Sequence, residues 1–434
     1  MLPAIVIGFY GYDKWRLDTV TKTLVFAVIA VCLLQFMPFS PHGAIPGTEG
    51  LIPSPRFWTM SAQGSIESIL FTLPLVGLFV FISCFGEYEH QLLVRYLFLG
   101  FIINLVAGVI ELSYGSNVQI GGVFPYTITS GLFANENHFS TLIFMMIPLI
   151  AWRFMWYAKQ PLIYVALSFL LVGFLFAVGS RAGMGISAAL AVLCLFWKAT
   201  EKDGPLIRIA AFGVLLVLAV ISFLFLESGS EVDGDLRLVF YKNTISAISD
   251  FWFVGTGLGT FINIYPMFEP QVDMTREFAN HAHNDYLELL LEIGFLFFIP
   301  LIGLFLFQLF RHAMRSSLTQ AATLSVLAVL LHSVVDYPLR TMAIATTFTV
   351  LLAIILSKGD MTFTPLREEN RSPRRRKGNE NDHVASGQHR QSRRRSSSSK
   401  PQSLGEELIA PTHRKQRRSK RSGSQMRDRS QDKS

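Results

Sequence analysis

Residues 286–310 read YLELLLEIGFLFFIPLIGLFLFQLF, with Glu288 and Glu292 as the only charged side chains. At about 1.5 Å per residue, a helix of this length crosses the roughly 30 Å hydrocarbon core of a bilayer. The two glutamates stand four positions apart and so share one helix face. A carboxylate facing lipid is expensive, so that face is expected to look into protein. One segment thus predicts both a membrane span and a polar interior beside it. Comparable apolar runs occur near 20–38, 66–85, 92–111, 138–157, 161–179, 183–198, 206–226, 318–335 and 341–357. The expected fold is all-α: a polytopic membrane protein of about ten transmembrane helices.

The remaining composition fits this reading. The 434 residues are 51% hydrophobic and 16% charged, with a formal net charge of +7. That surplus is local. From Lys358 onward there are 21 Lys/Arg against 9 Asp/Glu, so this stretch carries +12 and the rest of the chain −5. A nucleic-acid footprint is therefore excluded for the body. Residues 363–434, rich in Arg and Ser, are expected to form a disordered basic cytoplasmic tail. Its clusters Arg374–Lys377, Arg393–Arg395 and Arg414–Arg421 suit an anionic lipid surface, but a solvated extension is the commoner reading. Cys32, Cys84 and Cys194 lie in apolar runs and read as small buried hydrophobes. No cleavable signal peptide is expected, because Leu2–Tyr12 is short and no small-residue cleavage site follows.

Topology follows from the basic loops. Lys14, Arg16 and Lys22; His90 and Arg95; Arg153 and Lys159; Lys198, Lys202 and Arg208; Arg311 and Arg315; and the tail all fall on one side if the count is ten. By the positive-inside rule that side is cytoplasmic. The opposite side collects Arg56, Asn135, Asn137, His138, Arg181, the long loop 227–285, Asp336 and Arg340. Arginines on the non-cytoplasmic side need another reason, either ion pairing and snorkelling or a ligand.

Three segments carry candidate chemistry. Gly179-Ser180-Arg181-Ala182-Gly183 reverses the chain between two apolar helices. Its guanidinium offers a planar fork suited to phosphate; pairing with Glu231 or Asp233 is the bland alternative. In the long loop, Leu236–Asp250 reads as an amphipathic helix with Arg237, Tyr241, Thr244 and Ile248 on one face, followed by the aromatic anchor Phe251-Trp252-Phe253. The turn Gly255-Thr256-Gly257-Leu258-Gly259 lacks the strand and helix of a dinucleotide fingerprint. A plain re-entrant turn is favoured over a phosphate contact. Finally, His281-Ala282-His283-Asn284-Asp285 precedes the opening span. Asp285 and Glu288 there suggest a capping box. His283 suits general-base work on a hydroxyl, and His-x-His offers half of a metal site without further ligands of obvious spacing.

These residues together resemble the O-antigen ligase/polymerase family of bacterial envelope glycan enzymes. The resemblance runs from about Gly131 to Leu339. It rests on Gly131-x-Phe133-x-Asn135-x-Asn137 with Pro148 downstream, the Ser180-Arg181-Ala182-Gly183 turn, and Arg237 ahead of the Gly255-x-Gly257-x-Gly259 turn. It continues through His283-Asn284, nine residues to Gly294, and His332-Ser333 with Asp336. Phe295-Leu296-Phe297 replaces the second small position that ligases show after Gly294.

The resemblance implies a type C glycosyltransferase-like fold in residues 1–362, its long external loop 227–285 covering the site. It implies an inverting enzyme with an undecaprenyl-diphosphate-linked glycan donor, a glycan or lipid A-core acceptor, and no cofactor or metal. His283 would be the catalytic base. Arg181 and Arg237 would bind the donor pyrophosphate, with Asn137 and Asn284 as further substrate-binding residues. The expected location is the bacterial inner membrane, with the site on the periplasmic face. An exopolysaccharide or O-antigen polymerase is the favoured reading, with ligase and protein O-oligosaccharyltransferase as alternatives. A different class, a transporter or channel for an anionic envelope precursor, also predicts arginines in a polar cavity. It would be marked by internal repeats, and no clear repeat is visible.

Overall fold

The ends of the apolar runs become helix ends in the computed structural model, which describes residues 14–41, 56–114, 130–200, 233–274 and 278–358. Helix α1 spans Thr19–Leu34, α2 Ala62–Ile82, α3 Glu87–Tyr114, α4 Glu136–Ala151, α5 Pro161–Val178 and α6 Arg181–Ala199. Further along lie α7 (Asp233–Phe251), the short α8 (Phe261–Ile264), α9 (Asp285–His312), α10 (Ser317–His332) and α11 (Met342–Leu356). Among the described residues there is no strand. Among the described residues, six helical segments are long and apolar enough to cross a membrane, and α1, α10 and α11 are shorter apolar helices. These nine match nine of the ten expected spans. The span expected at 206–226 lies outside the described residues, as do residues 227–232 and the tail. The protein is a polytopic α-helical membrane protein.

Burial ranks the helices. The span that starts with α4 is 78% buried, against 22–39% for the other five long spans. Helix α4 is therefore the centre of the bundle, and its neighbours turn apolar faces such as Leu162, Phe169 and Phe176 outward. The sequence explains the close packing on α4. A Cβ at Gly183 of α6 would collide with the Ser140 side chain, so only glycine lets the two helices meet there. Hydroxyls on α4 do not stay unsatisfied in this interior: Ser140 and Thr141 both donate to the Asn137 carbonyl, at 2.8 Å each.

One end of the bundle gathers several of the basic segments. Asp18 caps α1 by accepting from the Thr21 N–H (2.7 Å). The same carboxylate meets Gln308 (2.7 Å), His312 (3.2 Å) and Arg311 (3.4 Å) from the end of α9. Arg16 donates to the Phe85 carbonyl (3.4 Å), and Arg315 donates to that of Ile355. Arg16 and the Arg311–Arg315 segment, far apart in sequence, thus meet at one helix-end layer. The start of α9 lies a full span away, where the candidate site is built.

Candidate active site

The start of α9 is fixed by its cap. Asn284 is extended (φ −159°), and its side-chain oxygen accepts from the N–H groups of Tyr286 and Leu287. The capping box expected from Asp285 and Glu288 is not what forms. Asp285 is already helical and Asn284 takes the cap, because an extended residue just ahead of the helix can reach the free N–H groups. The other Asn284 atom donates to the Val334 carbonyl (2.6 Å). Ser333 donates to Asp285 (2.8 Å), and Tyr286 donates to the Leu330 carbonyl (2.7 Å). The α9 start is thereby clasped to the end of α10.

His283 stands just ahead of this cap with φ +51°, a left-handed conformation uncommon outside glycine. That backbone aims its ring between three elements. Phe240 of α7 stacks on it at 5.6 Å and 20°, and Tyr337 meets it edge-on at 4.8 Å. Its Nδ1 lies 3.7 Å from Asp336 Oδ1, and the other Asp336 oxygen lies 3.9 Å from His332 Nε2. His332 in turn hydrogen-bonds Thr141 of α4 (3.0 Å). Tyr241 donates to the His283 carbonyl (3.0 Å), so α7 docks directly on this loop. Arg237 is one turn before Tyr241 on the same face.

Arg181 opens α6. Ser180 caps that helix through the Gly183 N–H, and Gly179 ends α5 at φ +94°. The Ser180 hydroxyl also donates to Asn137 (3.2 Å), which ties the arginine turn to the start of α4. There Asn135 is the cap and accepts from the Asn137 N–H. The preceding Gly131 donates its N–H to Glu111 (2.7 Å), and a Cβ at that position would strike Asn104. The Asn135–Asn137 motif thus serves to place the α4 start beside Arg181.

No motif or spacing pointed to Tyr337, the centre of this layer. His138, His281 and His283 all meet its ring, at 5.0, 4.4 and 4.8 Å. Burial pushes the Tyr337 phenol up and the Asp336 charge adds to this, while hydrogen bonds with Asn135 and Asn280 pull the other way; the net shift is upward. The phenol is therefore a neutral hydrogen-bonding group near pH 7. His281 and His283 serve different carboxylates, Glu288 (2.9 Å) and Asp336. Among the described residues, no three His, Cys, Asp or Glu side chains are arranged to hold a metal ion.

On the far side of Tyr337 the pattern reverses. Arg340 lies 3.0 Å from Glu292, 3.5 Å from Glu288 and 3.8 Å from Asp285. Burial alone lowers the guanidinium, but these three carboxylates outweigh it and hold Arg340 above its ordinary value. For this arginine, ion pairing is the explanation. Glu288 and Glu292 face inward as expected, 2% and 1% exposed.

The glycine turn packs here as a structural element. Gly255, Gly257 and Gly259 all have positive φ. Successive N–H groups from residue 255 to 259 donate to the carbonyls of Phe251, Leu291 and Glu292, then to the Gln35 and Glu292 side chains. No N–H of the turn is left to cradle a phosphate. Its partner is a break in α9 at Gly294 (φ 64°, ψ 171°), where Phe295 and Leu296 donate to the carbonyls of Trp252 and Phe253.

The O-antigen ligase family model matches residues 166–302. Over this stretch, about a third of its length, the chain is similar to O-antigen ligases. The match encloses Arg181, Arg237, His283 and Asn284, whereas Asn137, Asp336, Tyr337 and Arg340 join them from outside it. A search of curated proteins finds no match. The similarity supports a function of the O-antigen ligase/polymerase type, with glycan-lipid donors and glycan acceptors in general.

Proposed function

We propose that this protein is an inverting membrane glycosyltransferase. In this reading it joins or polymerises undecaprenyl-diphosphate-linked glycan at the periplasmic face of the bacterial inner membrane. Residues 1–362 form the transmembrane domain, 227–285 the external catalytic loop, and 363–434 a cytoplasmic tail. The observation that carries the reading is His283, held in a strained backbone beside Asp336, inside a segment that matches the O-antigen ligase family.

The chemistry follows from the placement. An acceptor hydroxyl is a poor nucleophile, and His283 takes its proton as the oxygen attacks the anomeric carbon. The bond from that carbon to the diphosphate oxygen breaks on the opposite face, so the configuration inverts. Asp336 holds the imidazole and stabilises the imidazolium that forms, the role a carboxylate plays beside a catalytic histidine. Arg181 and Arg237 receive the charge that develops on the departing diphosphate. Arg181 has the added advantage of a helix N-terminus, where the dipole favours anions. Asn137 places Arg181. Asn284, whose side chain is committed to the cap and to Val334, acts by holding the His283 loop.

The test is complementation of a strain that lacks the native gene. His283→Ala is expected to reduce long-chain surface glycan by about 100-fold or more, with the protein present in the membrane at normal amount. Normal glycan in that strain refutes the base assignment. Arg181→Lys is expected to impair function as well, because a point charge does not replace the guanidinium fork. Full activity there assigns Arg181 a merely structural place.

A further inference from the structure

A cavity of about 370 Å³ lies beside the His283 layer, and the mechanism above makes no use of it. Its walls come from the start of α2 (Glu67, Ser68, Phe71), the segment before α9 (Asn280, His281) and the Asp285–Arg340 cluster. That volume is within the range of small-molecule sites, roughly 300–1,000 Å³. The glycines make room for it: a Cβ at Gly64 or Gly259 would collide with the backbone of the other, so α2 and the glycine turn meet backbone to backbone at its edge.

The lining states which ligands fit. Four carboxylates, Glu67, Asp285, Glu288 and Glu292, line it together with one arginine, whose charge the last three already share. A phosphate or diphosphate entering here meets net negative charge in a partly desolvated space, and is repelled. A neutral polyhydroxyl ligand meets the opposite situation. Each sugar hydroxyl donates, and carboxylate oxygens are the strongest acceptors a protein offers. One such acceptor is buried in the wall. Asp285 is 7% exposed and lines the cavity, and its Oδ1 has no hydrogen-bond partner; the nearest Arg340 nitrogen is 3.8 Å away, beyond hydrogen-bond range. A buried acceptor left in this way is costly unless a ligand supplies the donor. Asn280 and His281 add polar contacts, and Phe71 adds an aromatic wall for the apolar side of a pyranose.

We propose that this cavity is a saccharide subsite, which binds an uncharged sugar residue of the glycan while Arg181 and Arg237 bind the donor diphosphate. The proposal rests on the glycosyltransferase reading and sharpens it by separating the two chemistries of the substrate. Its place explains its use. His281 lines the cavity and packs on one side of Tyr337, and His283 meets the same ring edge-on. A sugar held here is one ring away from the base, so it is a residue remote from the reacting hydroxyl. Binding energy at such a position serves to align the reacting group.

The experiment uses the full-length protein in nanodiscs and two probes followed by saturation-transfer NMR. One probe is the neutral oligosaccharide released by mild acid from the producing strain's own surface glycan; the other is geranyl diphosphate. Wild-type protein is expected to transfer saturation to both. Ser68→Trp, which fills the cavity from α2, is expected to lower the oligosaccharide signal at least fivefold and to leave geranyl diphosphate unchanged, which also shows that the variant is folded. Glu67→Gln, at the exposed mouth, serves as a milder second variant with a smaller loss. Arg181→Ala is expected to do the reverse. No oligosaccharide signal with wild type, or a full signal with both cavity variants, overturns the subsite. No geranyl diphosphate signal with wild type overturns the donor reading instead, and leaves the subsite standing if the oligosaccharide pattern holds.

Discussion

The two ends of α9 are both polar, yet they are built for different purposes. At the Arg311–His312 end, Asp18 receives a backbone N–H, an amide, an imidazole and a guanidinium, and both of its oxygens are engaged. The result is a closed clamp between α1 and α9. At the Asp285 end, three carboxylates share one arginine, and one carboxylate oxygen stays without a hydrogen bond beside a cavity. Each end also holds one buried oxygen without a hydrogen bond, Gln308 Oε1 at the first and Asp285 Oδ1 at the second, so what sets them apart is the cavity that the acidic end borders.

The comparison can be broken at three points. The largest effect is expected from Arg340→Ala, which leaves three buried carboxylates without their cation and costs on the order of 3–5 kcal/mol. Thermal unfolding in detergent reads it out, and a loss below about 1 kcal/mol would mean that the acidic end is hydrated and no ion-pair centre exists. Next comes Gly294→Ala, which interrupts the border between the two ends. Its φ of 64° with ψ of 171° belongs to a region that only glycine adopts readily, and a new Cβ would strike the backbone of Phe253–Gly255. A cost of about 2–3 kcal/mol is expected by the same melting assay.

The smallest effect belongs to the closed end, and it depends on pH. Burial alone raises the Asp18 carboxyl, but the hydrogen bonds from Gln308, Thr21 and His312 outweigh it and hold it well below the usual carboxylate range. A depressed folded value means that Asp18 stabilises the protein above the unfolded value of about 3.9. That contribution is lost as the pH falls further, toward the folded value. Asp18→Asn is expected to cost about 1 kcal/mol at pH 7. The gap between the melting curves of the two proteins should narrow below about pH 4. A gap that widens with acid would remove Asp18 from the clamp.

Much of this was legible in the chain. Nine apolar runs mark nine helices within a few residues, because a bilayer-length run of apolar side chains has few other stable forms. The inward face of Glu288 and Glu292 followed from their four-residue spacing. The amphipathic reading of 236–250 matches α7, and the preference for a re-entrant glycine turn is explained by its spent N–H groups. Other features were not legible. Asp285 looked like a cap, and only the extended backbone of Asn284 showed which residue takes that role. Arg181 and Arg340 are the same residue type with similar predicted exposure to the outer face. The three carboxylates around Arg340 come together only when α9 folds against the Pro338–Arg340 turn.

By itself, then, the sequence determined the class of protein and the helices, since these depend on run length and spacing within one segment. Its short motifs also carried the resemblance to O-antigen ligases, whose family model matches residues 166–302. The tertiary structure alone decided how residues 141, 240, 283, 332 and 336 meet, and that Tyr337 divides a histidine layer from a carboxylate-lined cavity. The physical reason is range. Hydrophobic period and capping act within a few turns of one helix, whereas a site assembled from α4, α7, α9 and α10 depends on how the helices pack, which no local pattern records.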